Sequence, residues 1–387
     1  MAALDIERAD FLKDEEILIF ERSVEKFFDD HAPPSRVEKW RRDGIVERSM
    51  WREAGAAGLL CPSVPEAYGG SGGDFRHEVV VMEQVARKEI SGFSAGLHSA
   101  IVAPYIFHYG SEEQKKAWLP KMASGEFVGA IAMTEPGAGS DLQGVKTTAR
   151  LDGNRYLING QKTFISNGQL ADLIIVVAKT DPSKGAKGTS LVAVETADAP
   201  GFQRGRNLDK VGMEAQDTSE LFFENLSVPT ANLLGPEEGQ GFVQVMQQLP
   251  QERLTIGVGG VAVIERALQE TISYVKERKA FGQRLIDFQN TQFKLAECKT
   301  EATVARVFID RLIGLHLEGK LDAATASMAK YWVSELENRI VDVCLQLFGG
   351  YGYMNEYPIA RMFRDSRVQR IYGGANEIMK VLIARTL

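Results

Sequence analysis

VKTTARLDGNRYLINGQKTFIS, residues 145–166, is the segment in which the pattern of this chain stops being helical. β-Branched and aromatic residues are frequent in it, which is typical of strands. The dipeptides Asp152-Gly153 and Asn159-Gly160 within it, and Asn167-Gly168 directly after it, supply the positive φ that tight hairpin turns require. The segment therefore predicts consecutive β-hairpins in the middle of the chain.

Short apolar runs continue this strand pattern further along the chain. They occupy residues 173–178, 190–194 and 220–224. Their length suits single strands, because strands usually contain about 3–10 residues. Together with the first segment they predict a small β-sheet domain, which we place at residues 126–238.

Helical periodicity precedes and follows this domain. In the N-terminal third, Ile17, Phe20, Val24 and Phe28 recur at helical spacing. Beyond Gly239, three longer amphipathic segments predict a helical bundle. The apolar faces predicted for the bundle are Ile264, Leu268, Ile272 and Val275, then Val304, Val307, Phe308, Leu312 and Leu315, then Met328, Trp332, Leu336, Ile340, Val343 and Leu347.

The predicted fold class is therefore an α+β multidomain architecture. Its length of 387 residues is enough for two or three domains at about 150 residues each. We expect an N-terminal helical domain over 1–125, a middle β-sheet domain over 126–238 and a C-terminal helical bundle over 239–387.

Composition argues against several classes of protein. The 45 Lys and Arg residues stand against 52 Asp and Glu residues, and the net charge of −7 argues against nucleic-acid binding, which needs a dense basic surface. Cys61, Cys298 and Cys344 lie too far apart in the sequence for a CxxC metal pair or a disulfide framework. The five histidines show no ligand spacing, so no metal site is predicted.

The sequence also shows no pattern for a membrane span or for export. Its longest aliphatic run, residues 173–178, is far shorter than the roughly 18 apolar residues of a spanning helix. The first ten residues, MAALDIERAD, contain acidic side chains and lack the apolar core of a signal peptide. We therefore expect a soluble, cytoplasmic protein.

Four groups of motifs carry the functional information. They are AMTEPGAGSD at 132–141, QKTFISNG at 161–168, RKAFG at 278–282 with Phe288-Gln289 after it, and a final run from QLFGGYGY at 346–353 to RIYGGANEI at 370–378. Each motif alone is compatible with an ordinary turn or linker. Occurring together and in this order, they resemble the acyl-CoA dehydrogenase flavoprotein family over the whole chain.

The resemblance implies FAD as the cofactor, an acyl-CoA thioester as the substrate and assembly as a homotetramer. It also implies the helix–sheet–helix architecture that the periodicity predicts. The residues it places against the flavin within one subunit are Met133, Thr134, Ser140, Phe164, Ile165 and Ser166.

Further motif residues are implied to contact FAD away from its ring. Arg278, Phe281 and Gln289 match groups that reach the FAD of a neighbouring subunit. A helix start, with its free backbone N–H groups, suits the dinucleotide phosphates. The residues matched to the adenine half are Gln346, Gly349 and Gly350, and those matched to this helix start are Ala375, Asn376 and Glu377.

The catalytic base is where this sequence departs from the common family pattern. Many members carry a Glu directly after Ile-Tyr in the final motif, but here that position is Gly373. The long-chain and isovaleryl types carry the base on the helix that matches residues 249–253, where this chain has Glu252. The resemblance thus implies that Glu252 takes the α-proton and that Gly373 keeps a backbone N–H for the thioester oxygen. Glu377 is the alternative base. Without the resemblance, Glu252 would be expected to lie exposed on a helical turn, as most Glu residues do.

Substrate contacts and chain length follow from the same resemblance. LPQER at 249–253, SMAKYW at 327–332, EYPIAR at 356–361 and IYGGANEIMK at 371–380 resemble the long-chain type more than the isovaleryl type. This implies a long straight or methyl-branched acyl chain, with electrons passing to an electron-transfer flavoprotein. The residues implied to contact substrate are Ser140, Arg253, Tyr372 and Gly374.

Three other functions remain open at this point. An oxygen-using oxidase or monooxygenase could share the fold. A flavin-binding protein without a base is favoured only by the glycine at 373. A purely helical interaction module would bind no FAD.

Overall fold

The computed structural model describes residues 4–387, and the first three residues of the predicted N-terminal domain lie outside the described part. Helices form the first third of the chain, a sheet forms the middle and helices return to the C-terminus. The predicted α+β order is therefore confirmed. Within the described residues, no helix combines the length and the apolar character needed to cross a bilayer.

The N-terminal helices begin at residues whose local chemistry favours a helix start. Asp74 and Ser111 each form a capping box, with His77 and Gln114 respectively, and Pro34 occupies the first turn of its helix. A π-helical turn over 97–102 precedes the fifth helix. The helices are α1 (Glu15–His31), α2 (Pro34–Asp43), α3 (Arg48–Ala56), α4 (Phe75–Arg87), α5 (Ala103–Tyr109) and α6 (Glu112–Ala123).

The middle of the chain forms a seven-stranded sheet with the order β1-β4-β2-β3-β7-β6, in which β5 also pairs with β4. β1 and β4 are parallel, whereas β5 pairs with β4 antiparallel. β4 is buried along its whole length, as expected for an apolar strand covered on both faces. The strands are β1 (Gly129–Ala132), β2 (Thr148–Asp152), β3 (Arg155–Ser166), β4 (Leu173–Lys179), β5 (Thr189–Glu195), β6 (Phe202–Asn207) and β7 (Thr218–Pro229).

The predicted turns have different outcomes. Asp152-Gly153 lies at the β2–β3 hairpin, which is confirmed. Asn167-Gly168 ends β3 in a turn as predicted, but not in a hairpin, because β3 and β4 do not pair with each other. Asn159-Gly160 was wrongly predicted as a hairpin, because it lies within β3 at a bulge opposite β7. Residue 160 packs so closely on Thr147 that a side chain does not fit there, because a Cβ at this position would lie 2.4 Å from Oγ1 of Thr147.

Long helices complete the chain, and their buried faces confirm only part of the prediction. The face of Ile264 and Leu268 is buried, but Val304 and Val307 are 53% and 61% exposed. The buried face of the helix that carries Val304 and Val307 is the one that includes Ile309. It packs closely on the preceding helix, because a Cβ placed at Gly257 would lie 2.7 Å from Cδ1 of Ile309. The elements are α7 (Gly241–Glu277), β8 (Lys279–Ala280), β9 (Gln283–Arg284), α8 (Gln289–Leu317), α9 (Ala323–Phe348), α10 (Pro358–Ser366) and α11 (Asn376–Ala384).

A buried ionic cluster joins the N-terminal helices to this bundle. Arg306 on α8 is fully buried and donates to Glu83 on α4 at 2.6 Å and to Glu265 on α7 at 2.7 Å. Arg87 also pairs with Glu83, at 3.0 Å. Burial acts to raise the pKa of Glu83, but the guanidinium groups of Arg306 and Arg87 outweigh it and lower that pKa to about 2. The cluster therefore holds α4, α7 and α8 together through fully ionised groups.

Arg306→Met is expected to destabilise the fold by about 3 kcal/mol, because it leaves buried carboxylates with fewer cationic partners. The matched control is Arg206→Met, which removes an exposed partner of Glu220 and should change stability by less than about 1 kcal/mol. Urea unfolding of both variants against the wild type measures the difference. Equal stability of the two variants would contradict a structural role for the buried cluster.

Candidate active site

A cavity of about 560 Å³ lies where the N-terminal helices, the sheet and the C-terminal helices meet. α4 and the π-helical turn line one side, and α7 lines the opposite side. The loop after β1, the end of β3 and the loop before α11 complete the enclosure. The predicted residues that line it are Met133, Thr134, Ser140, Phe164, Ile165, Ser166, Glu252, Arg253, Tyr372, Gly373 and Gly374.

Glu252 is buried on this cavity rather than exposed on a helix surface, with 7% of its surface accessible. The hydroxyl of Tyr105 on α5 donates a hydrogen bond of 2.7 Å to Glu252 Oε1. The surrounding turn of α7 is held in place because Gln251 Nε2 donates to the carbonyl of Ala100 at 2.7 Å. Thr255 Oγ1 donates to the carbonyl of Glu252 itself at 2.7 Å. The carboxyl group is thus fixed in position by groups from α5, α7 and the π-helical turn.

The electrostatic surroundings of Glu252 suit a general base near neutral pH. Burial raises its pKa from an ordinary carboxyl value to about 7, although the hydrogen bond from Tyr105 and the charge of Arg253 act in the opposite direction. Arg253 is itself buried, and desolvation lowers its pKa. Its Nη1 donates to Ser327 on α9 at 3.3 Å, so the guanidinium is oriented by the bundle.

Gly373 and Gly374 form the part of the cavity wall that faces α7. Both have positive φ, of +63° and +94°, where side chains are disfavoured. A Cβ at 373 would also lie 2.3 Å from Cδ1 of Ile256, which follows Glu252 by one helical turn. A side chain at 373 and this face of α7 therefore compete for the same space. Tyr372 precedes them, and its hydroxyl donates to Gln369 Oε1 at 2.7 Å.

The end of β1 and the end of β3 are joined by a buried ion pair that sequence reasoning missed. Lys162 Nζ donates to Glu135 Oε1 at 2.8 Å and to the carbonyl of Met133 at 3.0 Å. The backbone N–H of Thr163 donates to the carbonyl of Thr134 at 2.9 Å. Glu135 and Lys162 both fall within the quoted motifs, so the motifs contained them without revealing that they pair.

Phe164 presents an aromatic ring to the cavity. Its side chain is 67% exposed, and its backbone has a φ of +60°, which is unusual for a bulky residue. The irregular pairing between Lys162 and Ile165 in β3 produces this conformation. Strained backbone of this kind clusters at binding and catalytic sites.

Comparisons with known proteins agree with this architecture. Family models for the acyl-CoA dehydrogenase N-terminal, middle and C-terminal domains match residues 14–126, 130–226 and 239–387. The chain belongs to the acyl-CoA dehydrogenase family.

Curated relatives and solved structures are similar over most of the chain. The mitochondrial long-chain specific acyl-CoA dehydrogenase of Sus scrofa is 52% identical over 371 residues, which cover 95% of this chain and 86% of the relative. The crystal structure of acyl-CoA dehydrogenase from Geobacillus kaustophilus has 50% identity and a TM-score of 0.94, covering 96% of this chain and 98% of that one. A Bacillus anthracis acyl-CoA dehydrogenase complexed with FAD has 33% identity and a TM-score of 0.91, covering 99% and 69%.

Most of the family motif residues outside the cavity are exposed in the C-terminal part of the chain. Phe281 is 97% exposed, and Arg278 lies over the ring of Tyr351 at 5.6 Å. A Cβ at Gly349 or Gly350 would meet no atom within 4 Å. The motif residues that do not line the cavity are Arg278, Phe281, Gln289, Gln346, Gly349, Gly350, Ala375, Asn376 and Glu377.

Asn376 has a structural task that the motif did not reveal. Its buried side chain accepts from Lys330 Nζ at 2.7 Å and donates to Glu335 Oε1 at 2.9 Å. Lys330 Nζ also donates to the carbonyl of Gly374 at 2.7 Å. These bonds tie the glycine loop to α9. Glu377, the alternative base, is exposed and does not line the cavity.

Tyr105→Phe is expected to move the acid limb of the kcat/KM pH profile upward by about one unit. The hydroxyl of Tyr105 stabilises the ionised carboxylate, so its removal raises the pKa of Glu252 above about 7. Tyr109→Phe is the matched control, because the hydroxyl of Tyr109 donates to Gln247 Oε1 instead. An unmoved acid limb in Tyr105→Phe would show that Glu252 does not titrate in this profile.

Glu252→Gln is expected to raise the melting temperature at about pH 8 and to have little effect near about pH 4, below both pKa values. The folded-state pKa of Glu252, about 7, exceeds the usual unfolded value near 4.3, so ionisation of this group weakens the fold as pH rises between the two. Glu377→Gln, at an exposed position, serves as control. A pH-independent difference between Glu252→Gln and wild type would refute this linkage.

Proposed function

We propose that this chain is a FAD-dependent dehydrogenase that converts an acyl-CoA thioester to its trans-2-enoyl-CoA in fatty-acid β-oxidation. The observation that carries the proposal is the Glu252 carboxyl group, which is buried on the cavity with a pKa of about 7 and lies one helical turn before Ile256, the residue against which Gly373 packs. Membership of the acyl-CoA dehydrogenase family supports the same conclusion. The placement of Glu252 argues against a protein without a base.

Glu252 removes the α-proton, and the wall of the cavity lowers the barrier to this step. The thioester carbonyl oxygen gains negative charge as the proton leaves, and the backbone N–H of Gly373 is the donor assigned to it. Apolar side chains around Glu252, such as Leu249, Ile256 and Leu97, exclude water and keep the carboxylate reactive. When bound, FAD supplies the acceptor for the hydride that leaves the β-carbon.

The residues on the cavity fit a flat cofactor of this kind. Phe164 offers an exposed ring, and Thr134, Ser140 and Ser166 offer hydroxyl groups around it. A Cβ at Gly139 would meet no atom within 4 Å, so the loop after β1 leaves open space at the cavity. These residues would hold the flavin.

The acyl chain would lie along α7, beyond Glu252. Gly259 and Val263 line the cavity at successive turns of this helix, and Met82 and Val85 face them from α4. Gly259 has no side chain to narrow the space. This apolar slot supports a long straight or methyl-branched acyl chain, as does the similarity to relatives named long-chain specific.

Assembly and electron transfer complete the proposal. Arg278, Phe281 and Gln289 would reach the FAD of a neighbouring subunit in a homotetramer, and exposed apolar residues such as Phe293 and Val307 on α8 are compatible with burial between copies. An electron-transfer flavoprotein would be the electron acceptor.

The division of the chain and its location remain predictions. The boundaries at 126 and 239 agree with the matched family ranges to within a few residues. The cytoplasmic location stays an expectation, and the long-chain relatives are named as mitochondrial.

Anaerobic mixing with a long straight-chain acyl-CoA is expected to bleach the flavin of the wild-type holoenzyme and not that of Glu252→Gln, which cannot accept the α-proton. Stopped-flow absorbance measures the rate, and a loss of at least about 10³-fold is expected for a missing general base. Glu224→Gln, which changes an exposed carboxylate on β7 that does not line the cavity, is the control and should bleach normally.

Equal bleaching by Glu252→Gln and wild type would keep the dehydrogenase and overturn the assignment of the base. No bleaching of wild type by long, short or branched thioesters would overturn the proposed function itself. Rapid reoxidation of the reduced enzyme in air would favour the oxygen-using alternative.

A further inference from the structure

Glu337 on α9 is one of several carboxyl groups on the cavity besides Glu252, and the proposed reaction does not use it. Its surface is 1% accessible, and the residue lines the cavity. Among residues 4–387, no group forms a hydrogen bond with its Oε2. A buried polar group without a partner costs about 1–3 kcal/mol, so its presence calls for a ligand or a functional reason.

The neighbouring polar groups already have partners of their own. Asp365 accepts from Ser91 Oγ at 2.8 Å, and Tyr372 donates to Gln369. Further along, Arg361 is paired with Glu89 at 2.8 Å. Among the buried carboxyl oxygens of residues 4–387, Glu337 Oε2 is the one without a partner, although Nε of Arg361 on the same cavity also has none.

The protonation of Glu337 limits what that ligand can be. Burial and then the charge of Asp365 raise its pKa well above the ordinary carboxyl value, which favours the protonated form of this group. A neutral carboxyl group both donates and accepts a hydrogen bond. It matches a hydroxyl group, which also both donates and accepts a hydrogen bond.

The position of Glu337 sets how far along an acyl chain that hydroxyl would be. Its Oε2 would lie 3.0 Å from a Cβ at Gly260, two helical turns beyond Glu252. At 1.5 Å per residue this is about 12 Å along α7. An extended chain advances roughly 1.2 Å per bond, which corresponds to about ten bonds.

We propose that Glu337 is a specificity-determining residue that binds a hydroxyl group about ten bonds beyond the α-carbon, so that the enzyme takes long hydroxyacyl-CoA thioesters as well as unsubstituted ones. The inference rests on the proposed function, because it places the acyl chain along α7. The hydroxyl satisfies the Glu337 carboxyl group, and the carboxyl group in turn offsets the cost of burying the hydroxyl.

The test compares kcat/KM of the holoenzyme for octadecanoyl-CoA and for two hydroxy isomers, with the hydroxyl about ten or about five bonds beyond the α-carbon. In wild type the distal isomer should be the better of the two. In Glu337→Leu the ratio of the distal isomer to the unsubstituted thioester should fall about tenfold, since the buried hydroxyl loses its partner. Glu337→Gln keeps a donor and an acceptor and should change this ratio less than about threefold.

Two further measurements separate recognition of the hydroxyl group by Glu337 from general changes in the shape of the apolar slot. Met362→Leu changes a neighbouring wall residue of similar volume and should leave the ratio of distal to unsubstituted substrate as in wild type. Calorimetric binding of unreactive thioether analogues should show the same order of preference as the kinetics.

The outcomes distinguish this inference from the proposed function. Equal use of both hydroxy isomers by wild type, or an unchanged ratio in Glu337→Leu, overturns the role of Glu337 while leaving the dehydrogenase intact. Failure of wild type to oxidise octadecanoyl-CoA and shorter thioesters overturns the proposed function instead. The comparison of isomers on wild type needs no variant, so it decides the matter even if Glu337→Leu does not fold.

Discussion

The burial of one ionisable carboxyl group, that of Glu252, is the constraint on which the site depends. A carboxylate in an apolar cavity is costly, and the chain limits this cost with the hydroxyl of Tyr105 and the nearby charge of Arg253. The remaining cost appears as a pKa near 7, which is what a base working at neutral pH requires. Groups from three separate segments hold the turn of α7 that carries Glu252, so stability of the fold and reactivity of the site are linked.

Space around α7 is the second determinant of the site. Gly373 and Gly374 bring the loop before α11 against Ile256, where a side chain at 373 would collide. Lys330 and Asn376 then hold this loop to α9 through buried hydrogen bonds. The candidate base Glu252 and Ile256, the residue against which Gly373 packs, are thus one helical turn apart on α7.

The sequence predicted the order of helices, strands and helices well, because apolar periodicity is a local property of each element. It was wrong where neighbouring elements decide the outcome. Asn159-Gly160 lies within a strand because Gly160 packs on Thr147, and the exposed face of α8 includes Val307 because Ala and Ile residues on another face pack on α7. Sequence-based prediction has the same limit for polar residues. Glu135 and Lys162 both lie within the motifs, but only the structure shows that they form a buried ion pair.

What the sequence by itself determined is the family, the cofactor class and the candidate base, since motif order and the glycine at 373 are visible in the chain without any contact. The tertiary structure decided which carboxyl groups are buried, which have partners and which face the cavity. Glu252 meets Tyr105, 147 residues earlier, only when α5 packs on α7. Its pKa near 7 arises from desolvation, and the unpartnered state of Glu337 arises from which groups pack around it. Both depend on the whole fold and leave no mark on the local sequence.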